Sequence, residues 1–346
     1  MKKLSKFLSF ILTLALAFSV SSGFAVYAQT GSGTADSPYL ISTPAQLQAM
    51  NSNVSAYYKL TADINLNGMD FTPIGNADSG AFSGDFDGAG YTISGLSVFS
   101  GKYSGLFGCN EGVIHDVILD DIYVYGSRYI GGVVGYNAQT GTVRNCRVNG
   151  GEVRSDGGLK EIYAGGICGY NAGGAVEGTL YNGADVDIYN RDSAVCTGGL
   201  IGYSKYFLSL IGCENRGKIF SEYFSSRRVY EISDCFVGGL IGYSPCGVYF
   251  TNCINKNNIT GEWSSSLDYG GCVGGLVGNY DGSGIFQNCY NNGNIKGYYA
   301  GGICGRADDS CSIIECANEG GINTSYATCF YHFAGEGWSN RISVLN

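Results

Sequence analysis

Pairs of apolar residues bounded by glycines recur along most of the chain and define a repeat. The pattern Gly-Gly, two apolar residues and Gly occurs six times, and a shorter first copy reads Gly105-Leu106-Phe107-Gly108. The spacing of the last glycines ranges from 27 residues (Gly108 to Gly135) to 40 residues (Gly202 to Gly242). A period of this size is typical of solenoids and propellers.

Two further elements follow the glycine pattern at fixed distances. A cysteine lies eleven residues after the last glycine in five copies, at Cys146, Cys213, Cys253, Cys289 and Cys316. An isoleucine lies six residues after that cysteine in four copies, at Ile219, Ile259, Ile295 and Ile322. The length variation is therefore confined to the segment between this third element and the next glycine pattern.

The repeat predicts an all-β chain, because each copy contains three short β-like pieces and no helical period. A propeller blade needs four antiparallel strands and a period of about 40–45 residues. Three strands per repeat instead indicate a triangular turn of a parallel β-helix, or β-solenoid. About seven glycine-rich coils would stack about 4.8 Å apart. The general preference of parallel crossovers predicts a right-handed winding.

The first part of the chain departs from the repeat and predicts a cap. Thr43-Pro44-Ala45-Gln46 is a capping box with proline at the first helical position, so a short helix through about Met50 is expected. Strands around Tyr39–Ile41, Tyr57–Leu66 and Tyr91–Leu96 complete the first coils. An atypical cap is expected where a solenoid would otherwise expose its core.

The N-terminus has the features of a secretory signal. Lysines at positions 2, 3 and 6 precede an apolar stretch from Phe7 to Val20, and Val26-Tyr27-Ala28 is typical of a cleavage site. An uncleaved membrane anchor is the alternative. We divide the chain into a signal peptide (1–28), a cap with the first coils (29–100), the solenoid repeats (101–325) and a C-terminal end (326–346).

Composition is consistent with a folded, exported β protein and limits its partners. Glycine accounts for 56 of 346 residues, and hydrophobic residues make up 45% against 14% charged residues. This excludes a disordered polyampholyte, and four prolines without a Gly-X-Y period exclude collagen. The net charge of −9 argues against a nucleic-acid partner. The chain after residue 28 has no transmembrane segment, so we expect a secreted protein, released or held at the cell surface.

Several of these segments resemble the GLUG-motif proteins of bacteria. The resemblance rests on Asp63-Ile64-Asn65-Leu66, on the run from Phe82 to Leu96, on the glycine patterns and on the Asn-Cys pairs, and it covers roughly residues 35–325. It implies a secreted or surface protein whose repeats form a β-helix. Similar repeats occur in adhesin-like proteins and beside the protease domain of some immunoglobulin-cleaving metalloproteases. With His115 and His332 as its two histidines and no His-Glu-x-x-His motif, this chain is not expected to share that activity.

The cysteines are expected to be mostly free and buried. Fourteen cysteines in an exported chain first suggest disulfides. However, Cys168 and Cys304 occupy a slot that another copy fills with Val134, which is the behaviour of a small buried hydrophobic residue. The turn cysteines Cys246 and Cys311 are the expected exceptions. Without a Cys-x-x-Cys motif, a zinc site is not expected.

Carboxylate pairs are the catalytic candidates, since parallel β-helices often degrade polysaccharides. Asp85 and Asp87 lie in a segment interpreted as a glycine-rich turn, where weak calcium binding is as consistent as chemistry. The pairs Asp120/Asp121 and Asp308/Asp309 are interpreted as solvated turn acids. Basic residues are scattered, so no cation accompanies these acids to stabilise developing charge. We therefore expect no catalytic site and no cofactor.

Aromatic residues in the variable segments are the stronger binding candidates. Tyrosine and tryptophan offer flat apolar faces with a polar handle, which suits sugar rings and protein partners. Insertions on one side of a solenoid often form its binding face, although some of these rings are equally consistent with core positions. The candidates are Tyr123, Tyr125, Tyr223, Phe224, Tyr230, Trp263, Tyr269 and Tyr298.

These patterns favour a secreted or cell-surface binding or adhesion module that is not an enzyme. Its expected partners are glycans, or host or envelope proteins, contacted through the aromatic loops. A carbohydrate-active β-helix enzyme, either a polysaccharide lyase or a glycosidase, is the alternative. A structural spacer of the envelope is the second alternative.

Overall fold

The protein is a parallel β-helix. The computed structural model describes residues 30–67, 69–76, 80–157, 160–191, 193–225, 235–265, 271–307, 310–324, 334–336 and 342–345. Strands one coil apart are hydrogen-bonded neighbours, and every ladder between two strands of the described residues is parallel. The predicted fold class is confirmed. The predicted signal peptide (1–28) lies outside the described residues.

Between Asp85 and Ala307 each coil contains five strands, where the sequence predicted three. In one coil they are Tyr129–Gly131, Val134–Asn137, Thr142–Arg144, Arg147–Val148 and Gly151–Ser155. We name the surfaces built by these strands face one to face five in this order. Equivalent strands stack along the rod, so each face runs over successive coils.

Faces one to three contain the following strands. Face one consists of Tyr103–Ser104, Tyr129–Gly131, Ile162–Gly165, Val195–Gly198, Cys235–Gly238, Cys272–Gly274 and Tyr299–Gly301. Face two consists of Phe107–Asn110, Val134–Asn137, Cys168–Asn171, Ile201–Ser204, Ile241–Ser244, Val277–Tyr280, Cys304–Ala307 and Ala334–Glu336. Face three comprises two sheets, first Tyr39–Ile41, Tyr57–Leu60, Asp85–Asp87, Val113–His115, Thr142–Arg144 and Ala175–Glu177, then Leu208–Ile211, Val248–Thr251, Gly284–Gln287, Cys311–Ile314 and Ile342–Leu345.

Faces four and five complete the coil. Face four consists of Ile64–Asn65, Thr92–Ser94, Ile118–Asp120, Arg147–Val148, Tyr181–Asn182, Glu214–Asn215, Ile254–Asn255, Tyr290–Asn291 and Ala317–Asn318. Face five consists of Ser97–Phe99, Ile122–Tyr125, Gly151–Ser155, Asp185–Arg191, Ile219–Ser225, Ile259–Ser265, Ile295–Gly297 and Ile322–Thr324.

The additional corners lie inside segments that the sequence pattern treats as continuous. A bend between Gly131 and Val134 divides the glycine pattern between faces one and two. Asn145 turns the chain from face three to face four with a φ of 52°, and Asn252 and Asn288 do so in later coils with φ of 54° and 51°. Asparagine tolerates this left-handed conformation, so the Asn-Cys pair marks a corner.

The glycine pattern allows the backbones of faces one and two to approach each other closely. A Cβ atom added to Gly198 would lie 2.1 Å from the carbonyl oxygen of Ile201 and 2.8 Å from that of Leu240. A Cβ atom on Gly238 would lie 1.9 Å from the carbonyl oxygen of Ile241. These distances leave no room for a side chain, so glycine is required by packing rather than by the turn itself.

The N-terminal helix forms as predicted, with a modified cap. It spans Pro44–Ala49 and continues as a 3₁₀ turn over Met50–Ser52. The Thr43 hydroxyl accepts a hydrogen bond from the Gln46 amide at 3.3 Å. The Gln46 side chain accepts from the amide of Ser42 at 2.9 Å, one residue before the predicted position. Both bonds satisfy amides that the helix leaves free.

Two predictions for the first coils require correction. The strand expected over Tyr57–Leu66 is divided into Tyr57–Leu60 and Ile64–Asn65. The segment around Asp85 and Asp87, interpreted as a turn, is the strand Asp85–Asp87 of face three. Its central Phe86 is fully buried, so the alternation of polar and apolar residues outweighs the neighbouring glycines.

Two files of asparagines, all buried except the partly buried Asn318, line the interior and were not anticipated. On face four each amide nitrogen donates to the next asparagine oxygen, over Asn182, Asn215, Asn255, Asn291 and Asn318, at 2.9, 2.8, 2.7 and 2.6 Å in turn. On face two Asn110, Asn137 and Asn171 are joined in the same way at 2.8 and 3.0 Å. In four copies the face-four file appears in the sequence as an asparagine two residues after the repeat cysteine, whereas Val148 follows Cys146 and Asn182 follows Leu180 at this distance.

No cysteine of the described ranges takes part in a disulfide. All are buried apart from Cys246, which is exposed, and Cys316, which is partly buried. Cys311 was expected in an accessible turn, but it begins the strand Cys311–Ile314 and is 1% exposed. Within the described part of the chain, no helix is long and apolar enough to cross a membrane.

Candidate binding surface on face five

Side chains of face five alternate between the core and the outer surface. In the strand Asp185–Arg191, Val186 and Ile188 are buried, whereas Asp187 and Tyr189 lie on the outer side. Neighbouring strands follow the same alternation because their residues pair in register. The outer surface of face five therefore collects polar and aromatic side chains from successive coils.

The first aromatic cluster consists of Phe99, Tyr123 and Tyr125 at the N-terminal end of face five. Phe99 is 65% exposed, and its ring centroid lies 5.4 Å from that of Tyr123 and 6.3 Å from that of Tyr125. Sequence analysis selected both tyrosines but missed Phe99. The alternation Ser97-Val98-Phe99, with Val98 buried, is the signal that identifies it.

The second aromatic cluster consists of Tyr189, Phe220 and Phe224, two coils further along. The ring centroids of Tyr189 and Phe220 are 5.5 Å apart, and Phe224 is 43% exposed. The guanidinium of Arg191 lies 5.5 Å from the Phe224 ring centroid, and that of Arg154 lies 5.6 Å from the Tyr189 centroid. Both distances suit cation–π contacts.

Each cluster borders a groove. A groove of about 650 Å³ runs beside the second aromatic cluster. Its lining includes Arg154, Asp156, Tyr189, Arg191, Glu222 and Phe224. A groove of about 480 Å³ beside the first cluster is lined in part by Asp121, Tyr123 and Glu152. Both combine ring surface with hydrogen-bonding groups.

Arg154 links the carboxylates of the larger groove. Its guanidinium lies 2.8 Å from Asp156, 3.3 Å from Glu152 and 3.7 Å from Asp187. The hydrogen bond to Asp156 is the largest cause of the raised pKa of Arg154. Burial raises the pKa of Asp187, and the attraction of Arg154 only partly offsets it. One Asp187 oxygen, Oδ1, is buried without a hydrogen-bond partner among the described residues.

The remaining predicted aromatic residues do not join this surface. Tyr223 and Trp263 are register partners on the inner side of face five, where both pack against the core. Tyr298 packs edge-on against Tyr299, with ring centroids 4.9 Å apart. Tyr230 and Tyr269 lie outside the described residues.

A second series of tyrosines lies on faces one and two and was not among the predicted binding candidates. The rings of Tyr136 and Tyr170 stack with 5° between their planes, and those of Tyr170 and Tyr203 with 13°. Tyr129 and Tyr163 stack in the same way at 5.7 Å. Since neighbouring rings cover each other's faces, these tyrosines are less suited to stacking against a sugar than the rings of face five.

The carboxylates first considered for calcium lie on face three, in an ion-pair cluster. Asp87 accepts a hydrogen bond from Lys59 at 2.7 Å. His115 contacts Asp116 through Nδ1 at 2.6 Å and Asp85 through Nε2 at 3.3 Å. The hydrogen bond to Asp85 is the main cause that raises the pKa of His115 to about 8, and burial opposes it.

Among the described residues, this cluster is the group of side chains whose ligand atoms could hold a metal ion. One ligand atom each from Asp87, His115 and Asp116 lies within 4.8 Å of the others. A histidine with carboxylates suits a transition metal better than calcium, which prefers an all-oxygen shell. Lys59 and protonated His115 offset two of the three carboxylate charges of this cluster, and calcium binding at Asp85 and Asp87 stays a prediction.

The His115 cluster predicts a loss of stability at alkaline pH. A raised pKa means that the stabilisation is complete below about pH 6.5 and is lost as pH rises through about 8. The shift corresponds to at most about 2 kcal/mol, and solvent screening reduces this to about 1 kcal/mol. Urea unfolding of the protein and of His115→Gln at pH 6 and pH 9 measures it. Equal pH dependence of both proteins would contradict the assignment.

Comparison with known proteins matches one repeat of the chain to a described sequence motif. A family model described as the GLUG motif matches residues 126–154. That segment begins just before the strand Tyr129–Gly131 and ends within Gly151–Ser155, so it contains one strand of each face. The motif therefore corresponds to one complete coil of the solenoid. This coil of the chain therefore carries a GLUG motif.

Two relatives extend this comparison. Halomucin from Haloquadratum walsbyi is 42% identical over 144 residues, which cover 36% of this chain and 2% of halomucin. The chain therefore matches only a small part of that relative. The crystal structure of a candidate immunoglobulin A1 protease from Bacteroides ovatus has a TM-score of 0.58 at 23% identity, and the match covers 91% of this chain and 86% of that one. At this identity the likeness concerns the fold alone.

Proposed function

We propose that this protein is an extracellular binding module that holds glycans on the outer surface of face five and does not cleave them. The observation that carries the proposal is the presence of two aromatic clusters on one face, each beside a groove with charged side chains. The signal-like N-terminus supports an extracellular location. On this proposal the protein is a binder, and the rod is the scaffold that carries its binding surface.

The chemistry of face five suits sugars in two complementary ways. Exposed rings such as Phe99 and Phe224 offer apolar surface to the C–H face of a pyranose. Arg191 and Glu222, which line the larger groove, supply a donor and an acceptor for hydroxyl groups. Apolar surface with a few placed polar groups is the usual composition of a small-ligand site.

A carbohydrate-active enzyme is the second candidate, because Asp187 has a raised pKa as a general acid would. The arrangement around it favours binding. Arg154 is shared by Asp187, Asp156 and Glu152, so these carboxylates are committed to one cation. A hydrolase requires a second carboxylate free to act as base or nucleophile, and in this groove Glu222 would have to supply it.

Phe224→Ala is expected to weaken glycan binding about tenfold, through the loss of about 1.4 kcal/mol of ring contact. Immobilised plant, host and microbial polysaccharides would be tested for retention of the protein. Phe207→Ala is the matched control, since Phe207 is 56% exposed but lies outside face five. Release of reducing or unsaturated ends would contradict the non-catalytic role, and failure to retain any glycan would contradict the proposal as a whole.

A further inference from the structure

We infer that face five takes a linear, uncharged polysaccharide that lies along the long axis of the rod. The inference rests on the proposed function and specifies its ligand. It follows from how the strand register arranges the two aromatic clusters, from the distance between them and from the charge between them.

The register places one outward residue of each coil in a single file. Phe99 pairs with Tyr125, Tyr125 with Arg154, Arg154 with Asp187, and Asp187 with Phe220. Register partners in neighbouring strands are about 4.8 Å apart, so Phe99 and Phe220 are separated by about 19 Å. The file thus begins and ends with aromatic residues and has polar residues in its middle.

This spacing matches an extended sugar polymer. In an extended chain, each pyranose ring adds a length close to the spacing of about 4.8 Å between neighbouring coils. Successive rings therefore lie beside successive coils. A single terminal sugar contacts one aromatic cluster only. A chain of about five rings spans the distance from Phe99 to Phe220 and contacts both clusters at once.

The charge of the file selects against acidic polymers. Arg154 faces Glu152, Asp156 and Asp187, so carboxylates outnumber this guanidinium in the middle of the file. Asp185, the register partner of Glu152, adds a further carboxylate. A uronate or sulfated polymer would place like charges against them, whereas the hydroxyls of a neutral polymer donate to these oxygens.

Binding of two linked contacts predicts a strong dependence on chain length. Joining two weak sites by one ligand raises the overall affinity by up to about 10²–10⁴-fold. We expect the affinity for an oligosaccharide of six units to exceed that for two units about 100-fold, with the increase ending once both clusters are covered. Each molecule of the six-unit ligand should bind one protein molecule.

Calorimetric titration with cello-, xylo- and manno-oligosaccharides of two to eight units tests this. Phe99→Ala and Phe220→Ala should each lower the affinity for the six-unit ligand at least tenfold, while Phe207→Ala leaves it unchanged. Unchanged thermal unfolding of each variant would show that the rod is intact. In the double variant, the residual affinity should no longer depend on chain length.

The outcomes separate the two proposals. Equal affinity for two-unit and six-unit ligands, or tighter binding of polygalacturonate than of any neutral polymer, would overturn the axial neutral ligand and leave glycan binding intact. Absence of binding to every neutral and acidic polysaccharide would overturn the proposed function itself.

Discussion

Gly198→Ala is expected to lower the free energy of unfolding by about 3 kcal/mol. A Cβ atom at this position would lie 2.1 Å from the Ile201 carbonyl oxygen and 2.8 Å from that of Leu240. Both atoms belong to backbone in strand-to-strand contact, which relaxes less than a side chain, so overpacking here is at the upper end of its usual cost. Urea unfolding followed by circular dichroism measures the change.

Gly150→Ala is the matched control, because a Cβ atom there has no neighbour within 4 Å. Its effect should stay within about 0.5 kcal/mol. Since stability in a solenoid is passed between adjacent coils, the damage at Gly198 should appear first as local opening of neighbouring coils in hydrogen exchange. Equal stability of the two variants would show that faces one and two are not packed as closely as described.

Asn215→Ala is expected to destabilise the protein by a comparable amount, about 3 kcal/mol. The Asn215 side chain donates to Gly217 at 2.9 Å and to Asn255 at 2.8 Å, and it accepts from Asn182 at 2.9 Å. It is fully buried, so its removal leaves several polar groups without a partner at about 1–3 kcal/mol each, partly relieved by relaxation. Thermal and urea unfolding provide the measurement.

An exposed asparagine of the same ladder region provides the control. Asn292 bonds Glu319 at the surface, and Asn292→Ala should change the stability by less than about 0.5 kcal/mol.

Asn215→Asp tests the direction of the bonds: an ionised oxygen would face the acceptors of Gly217 and Asn255. The variant should therefore be more stable at pH 4 than at pH 7, relative to the unmodified protein. If Asn215→Ala were as stable as the wild-type protein, the asparagine hydrogen bonds would not contribute to the stability of the core.

The close packing of faces one and two and the asparagine files also support the binding surface. Both fix the position of each coil relative to the next, and face five inherits that register through the file from Phe99 to Phe220. A binding site on rigid strands loses little conformational entropy when the ligand binds. Variants that loosen the packing of faces one and two are thus expected to weaken glycan binding before the rod unfolds.

The binding candidates show where sequence patterns stop being informative. Tyr123 and Tyr223 are both tyrosines of face-five strands, yet Tyr123 joins the outer cluster and Tyr223 packs against the core. Alternation along a strand gives two opposite sides but does not say which side is inside. Long strands such as Ile219–Ser225 extend past the predicted third element, where the sequence analysis had expected a loop. That extension carries Phe224 to the groove and Tyr223 to the core.

The sequence by itself determined the repeat, the parallel β-helix and the N-terminal helix, because each depends on local spacing and capping chemistry. It also marked Asn145 and its equivalents, although not as corners. Only the tertiary structure decided that a coil has five faces, that Phe99 and Phe220 share one file, and that Asp85 meets His115. The physical reason is register: these contacts join residues about one coil or more apart, and hydrogen bonding between strands sets them.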